Sequence, residues 1–473
     1  MKRLCVFVIA LFCTLTASAA GSAINRVTLN GAAVTVNVTA ETDCALTVAL
    51  YDADGRLLDV QTRDVGATAG RDVSVTMAGG IPSGSVAKAF LTGADNKPVC
   101  KAASSSDSGG NGGGDTPTPA PATDDVYAIL YADGTLVFQH GNTPQAERQV
   151  RETYAVDVTE HYRYDEIPWR SARAFIYQVD FADKIQPTST ARWFEECTKL
   201  REIKNIKNLD TANVISMKRM FDSCGRLTTL DVSGFNTANV TDMNDMFFGC
   251  GALTTLDVSG FNTANVTDMN EMFRLCGALT ALDVSKFDTA NVTDMSGMFD
   301  SCGALTTLDV SGFDTANVTD MSEMFSGCRA LTTLDVSGFN TANVTDMSFM
   351  FADLFSGCAA LTELDVSGFD TANVTRMRSM FCGCGALTTL DVSGFDTTNV
   401  TNMSDMFGQC LGLIAIYASP KFLTSQVTDS DRMFSGCEFL VGGNGTTYDN
   451  KHVDMEYARI DGGASAPGYF TAK

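Results

Sequence analysis

Seven aspartates recur at one position of a repeated phrase: Asp231, Asp257, Asp283, Asp309, Asp335, Asp365 and Asp391. They are spaced by 26 residues, with one step of 30 between Asp335 and Asp365. Each sits in a Leu-x-x-Leu-Asp-Val stretch whose alternation points the leucines and valine inward and the aspartate outward. Stacked repeats would therefore align the carboxylates in a row about 5 Å apart, where like charges repel and something must relieve them. Divalent cations or a basic partner would do so, and that makes the row the candidate binding site. The plainer alternative, weighed ahead of it, is a ladder in which each Asp accepts hydrogen bonds from nearby Ser and Thr hydroxyls or backbone amides. Acid–base catalysis fits neither reading, because paired catalytic carboxylates need environments that push their pKa values apart, and a repeat gives every Asp the same neighbourhood.

Little other reactive chemistry is present. The chain has three histidines, His140, His161 and His452, none with a partner at ligand spacing, and it lacks Gly-x-Ser-x-Gly and phosphate-loop motifs. Its 15 cysteines fall mostly into a second ladder: Cys197, Cys224, Cys250, Cys276, Cys302, Cys328, Cys358, Cys384, Cys410 and Cys437. Equivalent side chains on neighbouring coils run parallel and do not converge, so buried free thiols are expected over a chain of disulfides. Cys382 beside Cys384 is the one doubled thiol, too little for a metal site. Cys44 and Cys100 are left as either a disulfide or two separate core residues.

The element that must hold these residues is the repeat itself, for example Leu305-Thr-Thr-Leu-Asp-Val-Ser-Gly-Phe-Asp-Thr-Ala-Asn-Val-Thr-Asp-Met-Ser-Glu-Met-Phe-Ser-Gly-Cys328. A fixed period of this length implies stacked coils that share one continuous core. Leu305, Leu308 and Val310 predict a short inward-facing strand. Gly312 and Asp314 to Asn317 predict a corner. Val318, Met321, Met324, Phe325 and Cys328, spaced by three and four, predict a helical or 3₁₀ turn capped by Thr319 or Asp320. The frequent Asn-x-Thr triplets, such as Asn239-Val-Thr241, read as corner residues before they read as glycan acceptors. The expected fold is thus an α/β repeat solenoid, a superhelix with a parallel concave β-sheet and short convex helical turns, plus a small N-terminal all-β sandwich.

Along the chain, residues 1–19 have the charged start and short apolar core of a signal peptide. Residues 20–102 alternate with period two between turn signals such as Asn30-Gly31 and Asp54-Gly55, predicting the sandwich. Residues 103–125 pass from Ser-rich through Gly-rich to Thr-Pro repeats, a linker. Residues 126–175 form the N-terminal cap of the repeats, which run over 176–440, and residues 441–473 form the C-terminal cap. The net charge is −23. Between Leu227 and Gly412, 23 acidic residues face 5 basic ones, a balance of −18. Nucleic acid and anionic membrane are therefore not expected as partners. No later stretch is long and apolar enough to span a bilayer, so a secreted, extracellular protein is expected.

With the repeat and both ends in view, residues from about Val126 to Lys473 resemble the BspA-like leucine-rich-repeat surface proteins of bacteria, in the branch noticed as Mycoplasma-type lipoprotein repeats. The marks are Leu-x-x-Leu-Asp-Val-Ser-Gly-Phe-Asp/Asn-Thr-Ala-Asn-Val-Thr-x-Met-x-x-Met-Phe-x-x-Cys, the closing Gly442-Gly-Asn-Gly-Thr446, Tyr457-Ala-Arg-Ile-Asp461 and Pro467-Gly-Tyr-Phe470. The resemblance implies a secreted or cell-surface binding protein, with adhesion to a protein or glycan on a host or neighbouring cell. A spacer without specific ligand is the rival, and a hydrolase with its site near Trp169 a remote one. No enzyme activity and no cofactor are expected; calcium bridging the Asp row is the single metal reading left open.

Overall fold

A computed structural model describes residues 23–30, 33–40, 44–51, 57–65, 68–76, 86–93, 103–106, 125–159, 163, 165–352 and 357–473. The expected signal peptide, His161, most of the expected linker, the inserted residues 353–356 and the pairing of Cys44 with Cys100 lie outside what is described. The chain divides into two compact units, Met1–Ala120 and Pro121–Lys473.

Among the described residues of the first unit, seven strands form two antiparallel sheets. Strands β1 (Ala23–Asn30), β2 (Ala33–Ala40) and β5 (Thr68–Thr76) make one, in the order β1-β2-β5. The other runs β4-β3-β6-β7, from β3 (Cys44–Tyr51), β4 (Leu57–Val65), β6 (Val86–Gly93) and β7 (Ala103–Ser106). β7 uses the first residues of the stretch expected to be linker. Leu46, Val48 and Val73 are buried.

The second unit opens with a hairpin, β8 (Val126–Tyr131) and β9 (Thr135–His140), flanked by β10 (Val150–Val156). The antiparallel cap then changes direction: β11 (Gln178–Phe181) pairs parallel with β9 and with β12 (Glu202–Lys204). Trp169, Trp193, Phe138 and Phe181 fill the junction. The Trp169 indole N–H donates to the Trp193 carbonyl at 2.6 Å. Trp169 is thus a core residue.

From there each repeat forms one coil, and the coils are joined by parallel bridges at Ser216, Asp242, Asp268, Asp294, Asp320, Asp346, Arg376, Asn402 and Asp429. Phe194, Phe221, Phe247, Phe273, Phe299, Phe325, Phe351, Phe381, Phe407 and Phe434 stack ring on ring, with centroids 5.5–5.9 Å apart. These rings and the Met and Leu columns make one continuous core. The ladder cysteines are buried and unpaired. Each Sγ from Cys224 onward lies 3.0–3.4 Å from a Phe carbonyl of the preceding coil. Burial pushes the thiols up, to about 12 for Cys276 and Cys328.

Two expectations about the coil are corrected. The Met-x-x-Met-Phe-x-x-Cys segment is not helical. Met321–Met324 and Phe325–Cys328 are separate turns, each closed by an N–H to C=O bond of 3.3 Å. The third residues, Glu323 and Gly327, have φ of +59° and +66°, the requirement of a type II turn. Alternate amides leave the coil: Met321, Glu323, Phe325 and Gly327 donate to Asp346, Ser348, Met350 and Ala352 of the next one at 2.7–3.2 Å. An eight-residue helix would strand its first four N–H and last four C=O groups inside a stack. The turns place alternate amides on local and inter-coil carbonyls.

The parallel sheet expected on the Leu-x-x-Leu-Asp-Val side forms only at the ends. β13 (Thr389–Asp391), β14 (Ala415–Ala418) and β15 (Phe470–Ala472) pair in parallel at the C-terminus. From Leu227 to Val366 no backbone hydrogen bond joins these stretches among the described residues. The coils are tied instead along the Met–Phe side and at the corner. Thr315 Oγ1 there donates to Asn340 O at 3.0 Å and accepts the Asn340 N–H at 2.7 Å. With that backbone ladder fixing the register, the carboxylate-bearing side need not close to strand spacing, which would bring its like charges together.

Candidate functional site

The seven aspartates lie side by side on the exposed face of the Leu-x-x-Leu-Asp-Val stretches. Asp231, Asp257, Asp283, Asp309, Asp335 and Asp365 line one open groove of about 1070 Å³, and Asp391 follows Asp365 one coil later. Thr255, Ala281, Thr307, Thr333 and Glu363 run beside the row, and buried leucines such as Leu282 and Leu308 lie beneath it. The parallel register sets Lys204 next to Asp180 at one end and Tyr417 next to Asp391 at the other.

Each aspartate is also bound locally. Asp309 Oδ1 accepts the Ser311 hydroxyl at 2.7 Å and the Ser311 amide at 3.1 Å. The same clasp holds Asp231, Asp257, Asp283 and Asp335, and Asp365 and Asp391 accept the amides of Ser367 and Ser393 at 2.9 Å. The serine hydroxyl, then its amide, hold Asp257, Asp283, Asp309, Asp335 and Asp365 below the usual carboxylate value. The hydrogen-bond reading of the row is therefore present in the structure, in a form that runs within each coil and not between coils. It engages one oxygen: the second, Oδ2, of Asp257, Asp283, Asp309 and Asp335 has no partner among the described residues. At Asp391 burial works to raise the pKa, but the chain's own Lys473, whose ammonium contacts Oδ2, prevails together with Ser393.

A second aspartate column, Asp242 to Asp346, occupies the bridge positions. Asp320 accepts the Ser322 amide at 2.9 Å and hydroxyl at 2.6 Å, the expected cap serving a turn in place of a helix. The triplet asparagines are engaged too: Asn317 Nδ2 donates to Ala290 O at 2.8 Å and Thr319 Oγ1 to Thr293 O at 3.2 Å. They are corner residues, as expected.

The sequence reading missed a charge cluster on the Met–Phe side. Arg219 joins Glu195 of the coil before at 3.2 Å and Asp245 of the coil after at 2.9 Å. Arg274 reaches Glu271 at 2.9 Å, Asp300 at 2.9 Å and Glu323 at 2.8 Å, spanning three coils. Burial raises Asp222 to about 6. It raises Glu271 to about 7 against the pull of Arg274, helped by the neighbouring Asp245 carboxylate. The sameness that argues against catalysis in the groove row does not hold here. Its signal was available: Arg219, Asp245, Glu271 and Glu323 occupy one repeat position, visible once the coils are aligned column by column.

At the C-terminal end, Asp461 is buried and accepts hydrogen bonds from the amides of Asn444, Thr446 and Gly463 and from the Thr446 hydroxyl, at 2.7–3.0 Å. Burial alone would raise it; these donors outweigh that and hold it at about 2. This clasp joins the Gly442–Thr446 turn to the last segment. Among the described residues, no group of three His, Cys, Asp or Glu side chains is arranged to hold a metal ion.

A family model described as "Mycoplasma protein of unknown function, DUF285" matches residues 188–281, 276–355 and 352–459, together more than half of the chain. The chain belongs to this family. Its DUF285 repeats are the coils that carry both aspartate columns, the charge cluster and part of the closing clasp. No curated protein and no solved structure matches the chain. No described helix is long and apolar enough to cross a membrane.

Proposed function

We propose that this DUF285 chain is a secreted or cell-surface, non-catalytic binding protein. In this reading its coils form a leucine-rich-repeat type solenoid, and the aspartate groove receives an extended basic segment of a macromolecular partner, with adhesion as the role. The observation that carries it is the half-satisfied row: serine fixes one oxygen of Asp257, Asp283, Asp309 and Asp335 and leaves the second without a partner among the described residues, beside an open groove. Lys473 on Asp391 is the chain's own example of an ammonium seated there. The groove's monotony, with Ala281 and Glu363 the departures among its threonines, suits a repetitive ligand. The Asp–Ser clasps equally favour a spacer role in which the row only stiffens each coil.

The test is Asp283→Asn, Asp309→Asn and Asp335→Asn together, assayed against a lysine-rich peptide and a glycan and protein array at rising salt, with and without calcium. The parent should bind the basic ligand and lose it steeply as salt screens exposed charges beyond about 8–10 Å. The triple variant should bind at least about tenfold more weakly. Unchanged affinity and salt dependence would refute groove binding, and a much lower melting temperature with no binding change would favour the spacer. Calcium that raises the melting temperature of the parent alone would assign the row to a cation.

A further inference from the structure

Near-identical coils act as internal controls, so departures from the pattern at exposed positions carry information. Two columns on the edge leading into the Leu-x-x-Leu stretch depart together. The register follows from Arg201 N–H on Tyr177 O (3.0 Å), Ile414 N–H on Thr388 O (2.8 Å) and Val441 N–H on Ile414 O (3.0 Å). In six consecutive coils the paired positions are alanine and threonine, as in Ala304 and Thr306. At the C-terminal end they become Gly412 and Ile414, then Phe439 and Val441, with Leu411 alongside. At the N-terminal end they are Phe175 and Tyr177. Phe439, Leu411 and Ile414 are 66 %, 55 % and 52 % exposed, and Phe175, Tyr177 and Val441 are each more than a third exposed, so this edge presents apolar surface to solvent.

The two ends differ in charge. Arg151 lies over the Phe175 ring at 3.8 Å and Lys199 near the Tyr177 ring at 5.5 Å, with Arg201 next in the column. Exposed Glu438 borders Phe439. A parallel pairing of two such edges would set cations against cations. An antiparallel pairing sets the cationic aromatic end of one copy on the anionic apolar end of the other, twice, about a two-fold axis. The alanine and threonine coils between them offer small side chains that let the edges approach.

We propose that two copies of this chain associate antiparallel along this edge, Phe175 and Tyr177 of each meeting Leu411, Ile414, Phe439 and Val441 of the other. This does not rest on the groove reading: the aspartate row is a separate column, although Thr332 and Thr362 of the edge also border the groove. Salt should separate the two: it weakens a basic ligand in the groove throughout, whereas in the dimer it screens both the attraction at Glu438 and the repulsion between two chains of net charge −23 and leaves the apolar contacts in place.

The test is sedimentation velocity of the full chain over a hundredfold range of concentration. A monomer–dimer equilibrium is expected. Ile414→Thr with Phe439→Ala, which restores residues other coils already carry, should weaken it by about tenfold or more with circular dichroism and melting unchanged. Arg201→Glu and Glu438→Arg should each weaken it and together restore it. A monomer at every concentration, a dimer indifferent to the apolar pair, open-ended oligomers, or a double charge swap that fails to rescue would each overturn the proposal.

Discussion

Leu275→Gly should make the protein more stable, against the usual effect of adding glycine. Each coil has two left-handed positions, and in the third coil after the cap junction these are Glu271 at φ +53° and Leu275 at φ +60°. Holding a residue with a Cβ there costs roughly 1–2 kcal/mol. Glycine removes that strain but adds backbone entropy to the unfolded chain, about 0.5–1 kcal/mol. The Leu275 side chain is 44 % exposed, so little packing is lost with it. The difference is a gain of about 0.5–1 kcal/mol. The mirror experiment is Gly327→Ala, at the equivalent position two coils later. There φ is +66°, and an added Cβ would stand 3.2 Å from Ser301 Cα and Oγ. That crowding adds to the left-handed strain, so a loss of at least about 1–2 kcal/mol is expected. Denaturant titrations of the full chain, followed by circular dichroism and by intrinsic fluorescence, read both signs, with coincident transitions checking that one event is compared. If Leu275→Gly destabilises, or Gly327→Ala is neutral, the turns are not strained at these positions and the account of the coil given above is wrong.

Asp461→Asn should lower stability by about 2–3 kcal/mol, because a buried carboxylate receiving three amides and a hydroxyl loses its charge-assisted bonds. Its pKa is held at about 2 against an ordinary 3.8, so the clasp contributes fully above pH 4 and is lost as pH falls toward 2. The variant's denaturation midpoint should accordingly fall less than the parent's over that range, and parallel acid titrations that kept a constant gap would contradict the clasp. Glu271 has the opposite sign. With its pKa raised from 4.5 to about 7, its contribution is largest below pH 4.5 and fades as pH rises through 7. Glu271→Gln should flatten the stability profile between pH 5 and 8, and an unchanged profile would show that burial does not hold this carboxyl above its usual value.

How much was legible in the sequence follows from how each feature is encoded. The period of 26, the inward Leu305, Leu308 and Val310, the buried thiols and the row of outward aspartates were readable because a stacked repeat converts spacing directly into columns. The turn chemistry was not. Val318, Met321, Met324, Phe325 and Cys328 have helical spacing, but the same spacing serves two successive type II turns. Glycine, the usual mark of such turns, stands at Gly327 while Glu323, Leu275 and Phe349 occupy other left-handed positions. Nor did alternation in Leu-x-x-Leu-Asp-Val reveal which side the coils bond on, since side-chain direction and backbone pairing are separate properties of an extended segment. The Arg219 and Arg274 clusters escaped because they are exceptions to the repeat, and the consensus hides exceptions.

The same separation bears on what the groove is for. In a stack bonded along its strands, outward carboxylates would be forced to the strand spacing, and their mutual repulsion would have to be answered inside the protein. Here Met321 to Gly327 and the Thr315 corner carry the inter-coil bonds, so the aspartate face is relieved of that duty. Each aspartate is then fixed by a serine of its own coil, which orients the carboxylate without neutralising it. A face needed only for stability would be better served by the threonines already present beside it, which carry no charge. Seven coils carry the carboxylate, and Lys473 places an ammonium on the seventh; in the proposed binding reading that charge is what a cationic partner would meet, and in the spacer reading it is only the acceptor of the serine clasp.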